Sequence, residues 1–242
     1  MMYLNERIDD LQRGGLRVIQ RADAFRFGTD AVLLADFAAP RRHDRVCDLG
    51  TGTGIIPLLL YARENTISAD AVEIQPDMAD MAARSMAMNG LNEKIRVLPG
   101  DLRSIRTLLP HARYDLVTCN PPYGKAGGTL LNPDASKRLA RHEESCAIED
   151  VACAAAWLLQ NGGRLCCVFP AARMIELSDA MRKYRMAPKR IRMVHSRVEK
   201  AAHLCLMEGM LDARPGLIIE PPLVIYDENN AYTPELRHIY GL

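Results

Sequence analysis

Arg45-Val46-Cys47-Asp48-Leu49-Gly50-Thr51-Gly52-Thr53-Gly54-Ile55-Ile56-Pro57-Leu58-Leu59-Leu60 decides the fold of this chain. Residues 45–49 read as a short buried strand, and the apolar run from Ile55 opens a helix. Between them, glycines at alternate positions let the backbone turn tightly and approach a ligand without Cβ clashes. The next apolar strand, residues 70–73, ends in Glu73. A carboxylate at that strand tip is placed to accept hydrogen bonds from ribose hydroxyls.

The spacing separates two ligand types. A dinucleotide site wants G-x-G-x-x-G, with a helix N-terminus facing a pyrophosphate. Here the third glycine comes one residue early, and Asp48 sits just before the loop. A carboxylate there repels pyrophosphate and suits a cation. S-adenosylmethionine, with its sulfonium and ammonium, fits better; a glycine-rich turn with no ligand is the bland alternative. A third strand, 96–99, leads into Gly100-Asp101-Leu102. Asp101 either accepts from the amino group of an adenine, with Ile74 and Leu102 supplying apolar faces for its ring, or caps a helical turn over 102–109. The two roles are compatible.

A fourth strand, 114–119, runs into Asn120-Pro121-Pro122-Tyr123. Two prolines cannot continue a ladder, so the chain leaves the sheet here. An amide oxygen, a free carbonyl and a flat ring together can hold a planar amino group and cover the base that carries it. A proline-stiffened turn with a surface tyrosine is the simpler account of these four residues alone.

Taken in order, Asp48-x-Gly50-x-Gly52-x-Gly54, Glu73, Gly100-Asp101 and Asn120-Pro121-Pro122-Tyr123 resemble class I S-adenosylmethionine-dependent methyltransferases of the amino-methylating branch. With Phe25–Leu34, Val72-Glu73-Ile74-Gln75, Arg141-His142-Glu143, Lys200-Ala201-Ala202 and Pro215-Gly216-Leu217, the chain is similar over nearly its whole length to the bacterial tRNA1(Val) adenine-N6 methyltransferase family. It departs at Gly124, where that family's pattern has a bulky residue. The resemblance implies S-adenosyl-L-methionine as cofactor, S-adenosyl-L-homocysteine as product, and the adenosine just 3′ of the anticodon as acceptor. It implies cofactor contacts from Phe27, Gly28, Thr29, Asp48, Gly50, Gly52, Gly54, Glu73, Ile74, Asp101, Leu102 and Asn120. Catalysis falls to Asn120, Pro121, Pro122 and Tyr123, and RNA contact to Tyr123, Lys125, Arg138, Arg141 and Lys200.

The 242 residues are 48% hydrophobic, enough for one large core, with net charge +1. We find no repeat, no apolar run long enough to span a bilayer and no signal-peptide pattern. The seven cysteines sit mostly in apolar runs and form no C-x-x-C pair, which favours neither zinc nor a disulfide framework and fits a cytoplasmic protein. Residues 164–200 carry ten Lys/Arg against three acids, densest at Arg182, Lys183, Arg185, Lys189, Arg190 and Arg192. That run is either a phosphate-binding face or a solvated helix and strand edge.

Strands and helices alternate, predicting an α/β fold: a Rossmann-like, doubly wound, seven-stranded sheet, mostly parallel. By resemblance its seventh strand, 204–210, is antiparallel. A helix from Pro76 to near Asn89-Gly90 has Met78, Met81, Ala82, Ser85 and Met88 at helical spacing as core filler. Further helices are expected over 31–37, capped by Thr29 or Asp30, over 149–160, stopped by Asn161-Gly162-Gly163, and over 173–184, with strands at 164–169 and 190–194. The whole reads as one domain: an extension 1–43 over the cofactor site, a core 44–210 and a tail 211–242 packed on it. Residues 124–140 form a long loop beside the catalytic turn. The expected partner is tRNA, with no membrane or metal, and the chain a monomer or weak dimer. Two other functions use the same residues: a release-factor-type glutamine-amide methyltransferase, and a non-catalytic RNA-binding module.

Overall fold

The computed structural model describes residues 3, 5–21, 28–121 and 148–242. The chain opens with an antiparallel hairpin of β1 (Glu6–Asp10) and β2 (Arg17–Arg21), followed by α1 (Thr29–Ala38). Strand–helix alternation then begins: β3 (Arg45–Leu49), α2 (Ile55–Arg63), β4 (Ser68–Glu73), α3 (Pro76–Met88) and β5 (Ile95–Pro99). A 3-10 turn at Leu102–Ser104 runs into the short α4 (Ile105–Leu108), and β6 (Tyr114–Cys119) follows. The second half holds α5 (Ile148–Leu158), β7 (Leu159–Pro170), α6 (Met174–Lys183), β8 (Met186–His195) and β9 (Ala202–Leu211). Two two-residue strands, β10 (Ile218–Ile219) and β11 (Leu223–Val224), and α7 (Pro234–Tyr240) end it.

The main sheet has the order β10-β8-β9-β7-β6-β3-β4-β5, with β11 also on β8. The seven expected strands are β3 to β9, and β9 runs antiparallel to both its neighbours, β7 and β8. The short strands β10 and β11 extend the β8 edge in parallel, giving nine strands. Two residues are too few to show a periodicity, so the sequence held no signal for them.

Both faces of the sheet are covered. Val46, Leu116 and Cys166 join one buried cluster, and their neighbours Cys47, Val117 and Cys167 join the other. Strands buried on both faces read as unbroken apolar runs, which is why the core strands were legible. Helix α3 starts on Pro76 and gives way to Gly90 in left-handed conformation; its buried face is Ala79, Met81, Ala82, Ser85 and Met86, so Met86 takes the place expected of Met88.

Two boundaries differ from expectation. Asn161-Gly162-Gly163 lies inside β7 rather than stopping a helix, because α5 ends at Leu158 and the strand starts at once. The register against β6 shifts between Tyr114 and Leu116, the usual use of glycine in a strand. At α1 the N-cap position is Gly28, without a side-chain cap. Thr29 is instead within the helix, its hydroxyl accepting from the Tyr240 hydroxyl at 3.2 Å, and Asp30 lies in the first turn.

Candidate functional site

The strand order reverses between β3 and β6, and in open parallel sheets ligands bind in the crevice at that switch point. Register sets what meets there. Leu49 pairs with both Cys119 and Val72, and Glu73 pairs with Pro99. Neighbouring strands lie about 4.8 Å apart. Gly100, Ile74, Gly50 and Asn120 therefore emerge in one row along the carboxyl edge of the sheet.

The glycine loop is held from below. The amides of Gly50 and Thr51 donate to the Val72 carbonyl at 2.9 and 3.0 Å, and the Gly54 amide to Thr51 at 3.0 Å. Glu73 is buried, and its two carboxylate oxygens accept from the amides of Gly52 and Gln75, each at 2.8 Å. Each oxygen keeps a second acceptor direction. Gly54 has φ +84°, and a Cβ there meets Met86 and lies 3.3 Å from the Cβ of Ala82, so this glycine lets the loop pack on α3. Gly52, also left-handed, faces open space instead.

Asp48 is fully buried beneath the loop. Thr118 donates to its Oδ1 at 2.6 Å, and burial, with the Glu73 charge adding, pushes its carboxyl up to about 7. Its Oδ2 and the Thr51 hydroxyl are buried and make no hydrogen bond of full geometry among the described residues, though Thr51 lies close enough to favour the charged form of Asp48. Two incompletely satisfied polar atoms at the loop base, an open glycine face, and Ile74 exposed at the neighbouring strand tip fit a ligand that joins a cation to a flat base.

Asp101 caps the turn it begins, accepting from the Arg103 amide at 2.9 Å. The Arg103 guanidinium also forks onto it at 2.5–3.0 Å and lowers its pKa. Leu102 is half-buried against the core, Asn120 is half-buried and Pro121 buried. Gly28 is exposed and Thr29 half-buried at the start of α1. Phe27, Pro122, Tyr123, Gly124, Lys125, Arg138, Arg141, His142 and the loop 124–140 lie outside the described residues.

Lys200 is exposed in the β8–β9 turn, at the same sheet edge as the row above, and its carbonyl lies 2.7 Å from His195 Nδ1. The densest basic group does not share that edge. Strand β8 runs parallel to β7, so residues 182–185 lie at the opposite end of the sheet. Lys183 pairs with Glu149, Arg185 with Asp212, Arg190 with Glu208 and Glu220, and Arg192 with Glu235. Of the two readings of this run, the pairs favour a solvated face: those of Lys183 and Arg185 lie on the surface, and those of Arg190 and Arg192 tie the strand to its neighbours. Sequence reasoning missed Thr118, whose tie to Asp48 depends on cross-strand register, and Arg103, whose tie to Asp101 depends on the turn.

Among the described residues no group of three or more His, Cys, Asp or Glu is placed to hold a metal, and no helix is long and apolar enough to cross a membrane.

Residues 22–190 match the methyltransferase small domain family. A tRNA1(Val) (adenine(37)-N6)-methyltransferase of Porphyromonas gingivalis is 32% identical, over 89% of this chain and 87% of that one. The protein of that description from Tolumonas auensis is 34% identical, over 88% and 86%. The fold is shared with a solved structure from Agrobacterium tumefaciens described as a predicted O-methyltransferase, at TM-score 0.73 and 24% identity, covering 88% of this chain and 96% of that one. The chain belongs to the methyltransferase small domain family and, within it, to the group of tRNA1(Val) (adenine(37)-N6)-methyltransferases.

Proposed function

We propose that this chain transfers a methyl group from S-adenosylmethionine to the N6 amino group of an adenosine in tRNA, the acceptor being the nucleotide 3′ of the anticodon in tRNA1(Val). The observation that carries this is the register Leu49↔Cys119, which sets the glycine loop beside the Asn120 turn across the switch point. The names of the relatives, at 32–34% identity over most of the chain, support the substrate.

Bound S-adenosylmethionine supplies the methyl group on a reactive sulfonium. In our reading the loop Gly50-Gly52-Gly54 seats it, Asp48 below answers its positive charge, and Glu73 takes the ribose hydroxyls with its spare acceptor directions. Ile74 and Leu102 cover the adenine faces, and Asp101, steadied by Arg103, accepts from the adenine amino group. Phe27, Gly28 and Thr29 close over the methionine end, as part of an extension 1–43 of a single domain with core 44–210 and tail 211–242. The Asn120 side-chain oxygen and the Pro121 carbonyl accept the two hydrogens of the acceptor amine. The amine nitrogen is thereby drawn toward a tetrahedral shape, with its lone pair aimed at the methyl carbon. Pro122 stiffens the turn, and Tyr123 stacks on a base that has left its own stack. Lys125, Arg138, Arg141 and Lys200 contact the RNA backbone. No strong base is needed, because the amine becomes acidic once methylated. The chain acts in the cytoplasm as a monomer or weak dimer.

The test is radiolabelled methyl transfer to total tRNA and to a release factor, with mass spectrometry of tRNA nucleosides from a deletion strain. Label in tRNA and loss of N6-methyladenosine in the strain are expected. Label in the release factor alone overturns the reading.

A further inference from the structure

A cavity of about 410 Å³ lies at the end of the sheet opposite the candidate site. It is built from the first residues of four parallel strands: Arg45 opens β3, Ser68 opens β4, Lys94 precedes β5, and Tyr114 opens β6. Arg96 and Arg113 complete its basic lining, and all four cations are exposed.

The acids near this cavity are largely satisfied. The Asp70 carboxylate takes Arg96 at 2.7 Å on one oxygen and the Tyr114 hydroxyl at 2.5 Å on the other. Asp115, beside the rim, accepts the Arg45 backbone amide on one oxygen and the Gln160 side chain on the other. Only Glu93 adds a further carboxylate to the lining, beside Asn92 at 3.5 Å. The side chains of Arg45, Lys94 and Arg113 make no hydrogen bond or ion pair among the described residues. The basic run on β8 shows the contrast: its arginines face acids, whereas these three cations converge on an open, polar hollow.

Four cations against two carboxylates in one concave site attract an anion whose charge is spread over several oxygens, and phosphate is that chemistry. The distance is right for a second grip on one long polyanion. Strand β3 has five residues, so the cavity and the glycine loop are about 17 Å apart along it. Strand β5 is the last strand of the sheet on this side among the described residues; it carries Arg96 at the cavity, and Arg103 follows it at the site end.

We propose that this cavity binds backbone phosphates of the tRNA, away from the reacting base, with the RNA following the β5 edge from one end of the sheet to the other. The inference rests on tRNA being the substrate.

The experiment is steady-state methylation of full-length tRNA1(Val) across a salt series by wild-type protein and by the triple variant R45A/K94A/R113A, with S-adenosylmethionine binding measured alongside. KM for tRNA should rise on the order of tenfold or more, and the salt slope of binding should fall by about 3, one for each lost cation. The kcat at saturating tRNA and the cofactor Kd should not move. A charge-swapped variant, K94E/R113E, should weaken tRNA binding further. Unchanged KM and salt slope in both variants, with active wild-type protein, overturn the cavity assignment and leave the proposed reaction standing. A wild-type protein that neither binds nor methylates tRNA overturns both.

Discussion

The hydroxyl of Thr118 donates to Asp48 across 2.6 Å, and neither side chain has any solvent exposure. The two residues are direct partners in the β3–β6 register. Each stands two positions before a functional loop: Asp48 before Gly50, Thr118 before Asn120. A single buried bond therefore ties the strand that carries the cofactor loop to the strand that carries the amine-binding turn.

Replacing Thr118 by Val keeps the shape and removes the donor. It removes the one full hydrogen bond to a buried acceptor, which costs about 1–3 kcal/mol. Urea unfolding of T118V should show that loss, while T118S, which keeps the hydroxyl, should stay near wild type. Equal stability of T118V and wild type contradicts the importance of the bond.

Asp48 also sets a pH dependence. Its folded pKa of about 7 lies above the 3.8 of the free side chain, chiefly because burial disfavours the charge. The folded state holds this proton more tightly than the unfolded one. Its contribution to stability is full below about pH 4, falls as pH rises, and is lost above about pH 7. Asp48→Asn cannot ionise, so its stability relative to wild type should grow between pH 4 and 7, by on the order of 1 kcal/mol per pH unit at most. Urea midpoints at pH 5 and 7.5 test this, since other groups cancel in the comparison. A difference between the two proteins that is independent of pH rules it out.

What was legible in the sequence follows from the same geometry. Strands β3, β4, β6 and β9 and the second half of β7 are largely buried, and their apolar runs stood out, whereas β5 and β8 are mostly half-buried or exposed; the glycine loop and the Asn120 turn announced themselves by residues with few conformational alternatives. The roles of Thr118 and Arg103 did not, because each depends on which residue ends up beside it. The basic run 182–192 left two readings open for a related reason. Charge along a sequence counts cations, but Glu208, Glu220 and Glu235, which neutralise Arg190 and Arg192, come from segments 16 or more residues away in the chain. The β1–β2 hairpin was missed too: in Glu6–Asp10 only Ile8 is apolar, so no alternating pattern marks the strand.

Two glycines of one loop should fail differently. Gly54→Ala places a methyl against Met86 and Ala82 at φ +84°, so conformational strain and overpacking combine to cost about 2–4 kcal/mol. Gly52→Ala meets nothing within 4 Å and carries only the strain of φ +58°, about 1 kcal/mol. Its methyl projects into the open space above the loop. Thermal unfolding should single out G54A, and calorimetric titration with S-adenosylmethionine should single out G52A, with affinity reduced on the order of tenfold. If G52A binds the cofactor as wild type does, the open face is not the ligand's seat.

Glu73 makes a sharper case, because its two oxygens each hold a different amide, Gly52 on one side and Gln75 on the other. A glutamine at this position has the same size but only one acceptor atom. Glu73→Gln therefore leaves one of these amides facing an NH2 group, at a cost of about 1–3 kcal/mol, and loosens the loop where the ribose is proposed to rest. Cofactor affinity should fall more than tRNA affinity, since the RNA contacts proposed here come from other segments. Asn120→Ala should do the opposite within the same crevice. It removes an acceptor for the reacting amine and leaves the glycine loop intact, so turnover should drop by about 10²–10³-fold while the cofactor Kd moves far less. Measuring both constants for both variants separates the roles. If the two variants lose cofactor binding and turnover in the same proportion, the strand tips do not divide the work between seating the methyl donor and orienting the amine.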